Sequence, residues 1–200
     1  MNLTALGNGT TYGGVYVDPY TISINGVSAT LLSCDDFSTE IAVGQTWTAN
    51  TENAAAVDGA VKFSSGPFSA GGSEQTTYSA AAWIATQLVT PAITNNANTQ
   101  IDYSLALWEL FNPTLSGGPA FSGSLNGPDA GVPSVFTLAF NAVAGGYTGS
   151  NVTVYTPNPL GASQEFLEVS AVPVPASLPL LLSGLMGLGA VLRRRRTSAS

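Results

Sequence analysis

Apolar and polar positions along the chain predict strands at both ends and helices between them. In TISINGVSATLLSC, β-prone residues lie on both sides of Asn25-Gly26, the signature of a type I′ hairpin. Cys34 ends the second strand of that hairpin, and a further short strand is expected around Thr46 to Thr48. The period then changes from two to near 3.6. In TTYSAAAWIATQLV, Tyr78, Ala81, Ala82, Ala85, Leu88 and Val89 fall on one helical face, and Pro91 should stop that helix. A second helix is expected from Thr99 to Phe111. It is apolar on two sides, with Ile101, Leu105 and Trp108 on one and Tyr103, Leu107 and Leu110 on the other, so it should sit between two layers. A Gly/Pro/Ser-rich loop follows Asn112-Pro113, then a third short helix within Ser134 to Ala144, ended by Gly145-Gly146. NVTVYTP and QEFLEVSA read as closing strands joined by an Asn-Pro-Leu-Gly turn. The order predicts an α+β, β-rich extracellular domain with two to three helices, without internal repeats.

The pattern changes again after residue 170. From Ala176 to Leu192 no residue is charged, and as a helix this run would rise about 25 Å, near the thickness of a bilayer's hydrocarbon core. The expected single transmembrane helix comprises Leu178, Pro179, Leu180, Leu181, Leu182, Ser183, Gly184, Leu185, Met186, Gly187, Leu188, Gly189, Ala190, Val191 and Leu192, with Ser177 as its cap. Pro179 falls in the first turn, where a missing N–H costs little. Arg193, Arg194, Arg195 and Arg196 then mark a cytoplasmic end by the positive-inside rule, leaving the body outside.

These residues carry a resemblance. VPVPASLPLLLSGLMGLGAVLRRRR resembles the PEP-CTERM sorting signal of Gram-negative bacteria, most closely its VPLPA-type variant. Val172, Pro173, Val174, Pro175 and Ala176 stand where that variant has its proline motif, followed by the apolar run and the arginines. The resemblance implies processing by an exosortase near the motif, in an envelope that makes exopolysaccharide, a further candidate partner. The expected organisation is therefore an exported domain (1–170), a proline motif and linker (171–176), a transmembrane helix (177–192) and a basic cytoplasmic tail (193–200). MNLTALGNGTTYGG has neither a basic n-region nor an apolar h-region, so the route of export is not visible in it.

Charge and composition narrow the function of the body. Charged residues make up 8% of the chain. All 12 acids but only one base, Lys62, precede the arginine cluster, a balance that excludes nucleic acid as a partner. The absence of histidine removes Ser-His-Asp and Cys-His nucleophile systems and every His-containing zinc site. With one cysteine, no intrachain disulfide can form. The expectation is a non-catalytic body without cofactor or metal.

Cys34 is the candidate reactive thiol. LLSCDDF and LALWELF are similar to the two halves of a thioester domain of bacterial surface adhesins, in which a cysteine after a strand bonds a glutamine four residues before a helical tryptophan. Here that position, four before Trp108, is Ser104, and four before Trp83 it is Ser79; Gln87 and Gln100 are placed elsewhere. The plain reading is a small buried cysteine. Asp35, Asp36 and Glu40 form the densest acidic cluster, for which Glu109, Asp102 or Glu74 are the candidate partners in a carboxylate pair. Trp47, beside two threonines, is the candidate for stacking on a sugar. Two alternatives thus stand beside a passive surface protein: a thioester adhesin acting through Cys34, and a carbohydrate-binding envelope protein.

Overall fold

The computed structural model describes residues 1–7, 9–68, 72–115 and 130–170. The chain divides into two units, Met1–Ser170 and Ala171–Ser200. The proline motif, the apolar run and the arginine cluster all belong to the second unit and lie outside the described residues.

The strands of the body are β1 (Asn2–Ala5), β2 (Thr11–Tyr12), β3 (Val15–Tyr16), β4 (Tyr20–Ile24), β5 (Val27–Cys34), β6 (Thr48–Asn53), β7 (Val152–Asn158) and β8 (Phe166–Val169). The helices are α1 (Glu74–Leu88), α2 (Pro91–Thr94), α3 (Ala97–Phe111) and α4 (Val132–Ala144), all between β6 and β7. Six strands form one antiparallel sheet in the order β1-β4-β5-β8-β7-β6, and β2 pairs with β3 in a separate ribbon. The β4–β5 hairpin turns at Asn25 (φ 52°) and Gly26 (φ 79°), both left-handed as a type I′ turn requires.

The sheet curls on itself. Residues leading into β6 bond to β1, from Leu3 N–H to the Gln45 carbonyl (3.1 Å) and from Gly44 N–H to the Leu3 carbonyl (2.9 Å), with a bridge between Asn2 and Thr46. The residues before β6 thereby cover the start of β1, where its backbone groups would otherwise form an open edge.

Alternation along the strands builds two cores. On the concave side, Leu3, Tyr20, Ile22, Leu32, Cys34, Trp47 and Phe166 form one cluster. Phe166 is fully buried, with ring centroids 5.9 Å from Tyr20 and 5.8 Å from Trp47. On the other side Val152, Val154 and Leu167 meet the helices. Burying each such side chain contributes about 1.5–3 kcal/mol. α1 is the central helix, packing on α3, α4 and β8. Its face of Ala80, Ala81, Ala82 and Ala85 is wholly buried, and only small side chains permit that approach. Gly149 completes the fit: at φ +82° it lies so near α1 that an added Cβ would stand 2.7 Å from that of Ala82.

Both long helices fall where the periodicity places them. Ser73 caps α1 through a bond from Thr76 N–H, and Asn96 caps α3 through one from Thr99 N–H. The expected fold class is corrected in two respects. Among the described residues the body is a mixed α/β fold with a curled antiparallel sheet and four helices, where an α+β domain with two to three helices was expected. Pro91 ends α1 as expected but then opens α2 at its first position, where proline's missing N–H has no cost. The second correction concerns the transmembrane helix: no helix among the described residues is long and apolar enough to cross a membrane.

Candidate functional site

Four carboxyl groups are buried where β5, β8 and the connector from β6 to α1 meet. They belong to Asp18, before β4, Asp35 and Asp36, after β5, and Glu165, before β8; none is more than 1% exposed. The pairing of β5 with β8 accounts for two of them. Cys34 lies opposite Phe166 in the ladder, and one step further Asp35 N–H donates to the Glu165 carbonyl at 3.4 Å. Asp35 and Glu165 are therefore cross-strand neighbours, a placement that destabilises two like charges.

The two are served differently. Glu165 accepts from three directions: Tyr78 Oη on α1 (2.5 Å), the backbone N–H of Lys62 (2.8 Å) and Thr156 Oγ1 on β7. Burial raises its pKa, and those donors pull it back. No N–H or hydroxyl donor reaches either Asp35 carboxyl oxygen, and its side chain instead shares a hydrogen bond with that of Glu165. Burial first, then the charges of Glu165 and Asp36, push it well above the usual carboxylate range. The pair thus holds a proton to higher pH than exposed carboxylates would, with Asp35 its natural seat.

Asp36 is paired with Lys62. The Lys62 ammonium donates to Asp36 Oδ2, to Thr39 Oγ1 (2.7 Å) and to the Ser163 carbonyl (3.3 Å). Asp36 Oδ1 accepts from Ser38 N–H at 3.0 Å. Of the pair, Asp36 is fully buried and the Lys62 side chain is 14% exposed. Lys62 comes from the connector, whose next residue, Phe63, donates its N–H to Tyr78 Oη at 3.2 Å.

Cys34 lies next to this cluster on the concave side. Its backbone N–H donates to Asp18 Oδ1 at 2.6 Å, and its thiol donates to the Asp36 carbonyl at 3.2 Å. Burial, then the charges of Asp18, Asp36 and Asp35, push its pKa well up, the reverse of what activates a thiol. Burial likewise raises Asp18, whose Oδ2 has no partner.

The structure brings together some of the expected site residues and separates others. Asp35 and Asp36 are both buried in the cluster, whereas Glu40 is exposed. Asp102 instead accepts from Gly131 N–H at 2.9 Å. Their partners are Glu165 and Lys62, which the sequence reading did not name; the isolation of Lys62 as the body's one base was the available signal. Ser104 and Gln100 bond to Asp18, through its N–H at 3.1 Å and its carbonyl at 2.5 Å, and not to Cys34. Gln164 shares an acceptor with the thiol: its Nε2 donates at 2.9 Å to the same Asp36 carbonyl. Trp47 is 7% exposed within the concave core and offers no stacking surface. Among the described residues no group of three or more Cys, Asp or Glu side chains is arranged to hold a metal ion. No family model matches the chain, and no curated protein or solved structure matches it either.

Proposed function

We propose that the chain is an exported cell-surface or extracellular-matrix protein whose C-terminal segment is a PEP-CTERM sorting signal of the VPLPA type, processed by an exosortase near Val172–Ala176. The body acts without catalysis, through its surface, in an envelope where exopolysaccharide is a candidate partner. The apolar run and Arg193–Arg196 hold the chain at the membrane, with the body outside the cytoplasm, until it is processed.

The observation that carries this reading is the sequence order of proline motif, uncharged run and arginine cluster. The division of the chain supports it. Unit one ends at Ser170, directly after β8, and the motif begins two residues later. Processing within 172–176 would leave every described strand and helix with the body.

The test is the mass and C-terminus of the protein recovered from envelope and medium of a Gram-negative host, with and without its exosortase. Loss of everything after the VPVPA motif only where the exosortase is present is the expected result. Full-length protein in both strains would sink the proposal. A second reading, a thioester between Cys34 and a glutamine, draws on the shared contact of Cys34 and Gln164 with the Asp36 carbonyl. The same spectrum tests it, since a thioester leaves the body lighter by one ammonia.

A further inference from the structure

We propose that Lys62 and Asp36 become joined by an intramolecular amide, Nζ to Cγ, that ties the connector before α1 to the end of β5. The inference does not rest on the sorting reading, because both residues precede the tail.

A buried ion pair is a costly way to use a charge, since desolvation offsets most of the Coulomb attraction. Yet Lys62, the only base in the first 192 residues, is turned inward onto a fully buried carboxylate. The amine is held for attack. Thr39 Oγ1 and the Ser163 carbonyl fix Nζ against Asp36 Oδ2, and Glu165 fixes the Lys62 backbone. The carboxylate is held to receive it. Ser38 N–H sits on Oδ1, where negative charge gathers as Cγ becomes tetrahedral, and a donor placed there stabilises the oxyanion. Intramolecular reactions whose partners are well oriented reach effective molarities of about 10⁵–10⁸ M. Burial also keeps out the water that would reverse the reaction.

The step balances without an added reagent. Nζ gives up a proton and its lone pair forms the bond to Cγ, while the C=O electron pair moves to Oδ1. On collapse the Cγ–Oδ1 double bond re-forms, the Cγ–Oδ2 bond breaks and Oδ2 leaves as water. The ammonium starts with three protons; the amide keeps one and the water takes two, so ammonium and carboxylate yield amide and water with no net proton exchange. The transfer is direct, because Nζ already donates to Asp36 Oδ2, the oxygen that leaves. Glu165 acts as a positioning residue.

The sequence supplies a direct test, because Lys62 is the only trypsin site before the arginine cluster. We expect the full-length protein, purified and fully denatured, to resist cleavage after Lys62 and to be lighter than its sequence by one water. Fragmentation after a second protease should find the side chains of residues 36 and 62 joined. In Lys62→Arg, which keeps the cation but cannot form the link, the mass should return to the sequence value and cleavage at position 62 should go from none to complete. Full sequence mass with cleavage at Lys62 in the natural protein would overturn the proposal. So would loss of water with cleavage intact, which marks an aspartimide, or loss of ammonia, which marks a thioester.

Discussion

The buried carboxyls should give this acidic body an unusual dependence of stability on pH, and Asp18 offers the cleanest test of it. Asp18 is fully buried, its Oδ1 accepts from Cys34 N–H at 2.6 Å and its Oδ2 has no partner. Its pKa and that of Asp35 are raised well above the ordinary value, by burial first. In the unfolded chain both titrate near pH 4. Below that pH each group is protonated in both states and stability does not change with pH on their account. Above it the unfolded chain releases the two protons while the folded chain keeps them, so stability falls as pH rises, until each folded pKa is passed. Each retained proton costs about 1.4 kcal/mol per pH unit, and the two together about 2.7 kcal/mol per pH unit, large beside a total stability of about 5–15 kcal/mol. Urea unfolding followed by tryptophan fluorescence between pH 4.5 and 7 measures that slope. Asp18→Asn keeps the acceptor for Cys34 N–H and removes the titration. It should reduce the slope by about 1.4 kcal/mol per pH unit and make the protein more stable than wild type near pH 7. A stability that is flat or rising over this range, or an Asp18→Asn variant with the wild-type slope, would refute the reasoning.

Two further outcomes follow from the packing. Gly149→Ala should destabilise the body by about 1–3 kcal/mol in thermal or urea unfolding, because the new methyl meets Ala82 on α1 and the residue must hold φ +82°; a change within error would mean that the loop yields. Cys34, buried and with its thiol pKa pushed up, should react with a thiol reagent at neutral pH only when the chain is unfolded. Reaction of the native protein at the rate of a free thiol would contradict the burial.

Sequence by itself determined the features that arise from near neighbours. Asn25-Gly26 specifies its hairpin because both residues accept positive φ, and the flanking runs need no distant partner to become strands. α1 and α3 are legible because 3.6-residue periodicity and the capping Ser73 and Asn96 act within a few residues. β1 was missed, since four residues with a mixed pattern become a strand only through pairing with β4 and the approach of residues 44–47. α2 was missed because a proline that ends one helix can equally begin the next. The acid cluster was half legible. Asp35 and Asp36 stand out as adjacent carboxylates, but Glu165 is brought beside Asp35 by the β5–β8 ladder, and Lys62 meets Asp36 from 26 positions further along the chain. Periodicity and turn chemistry report which residues share a face. Only the order of strands in the curled sheet decides which faces meet, and so places one lysine among four buried carboxyls.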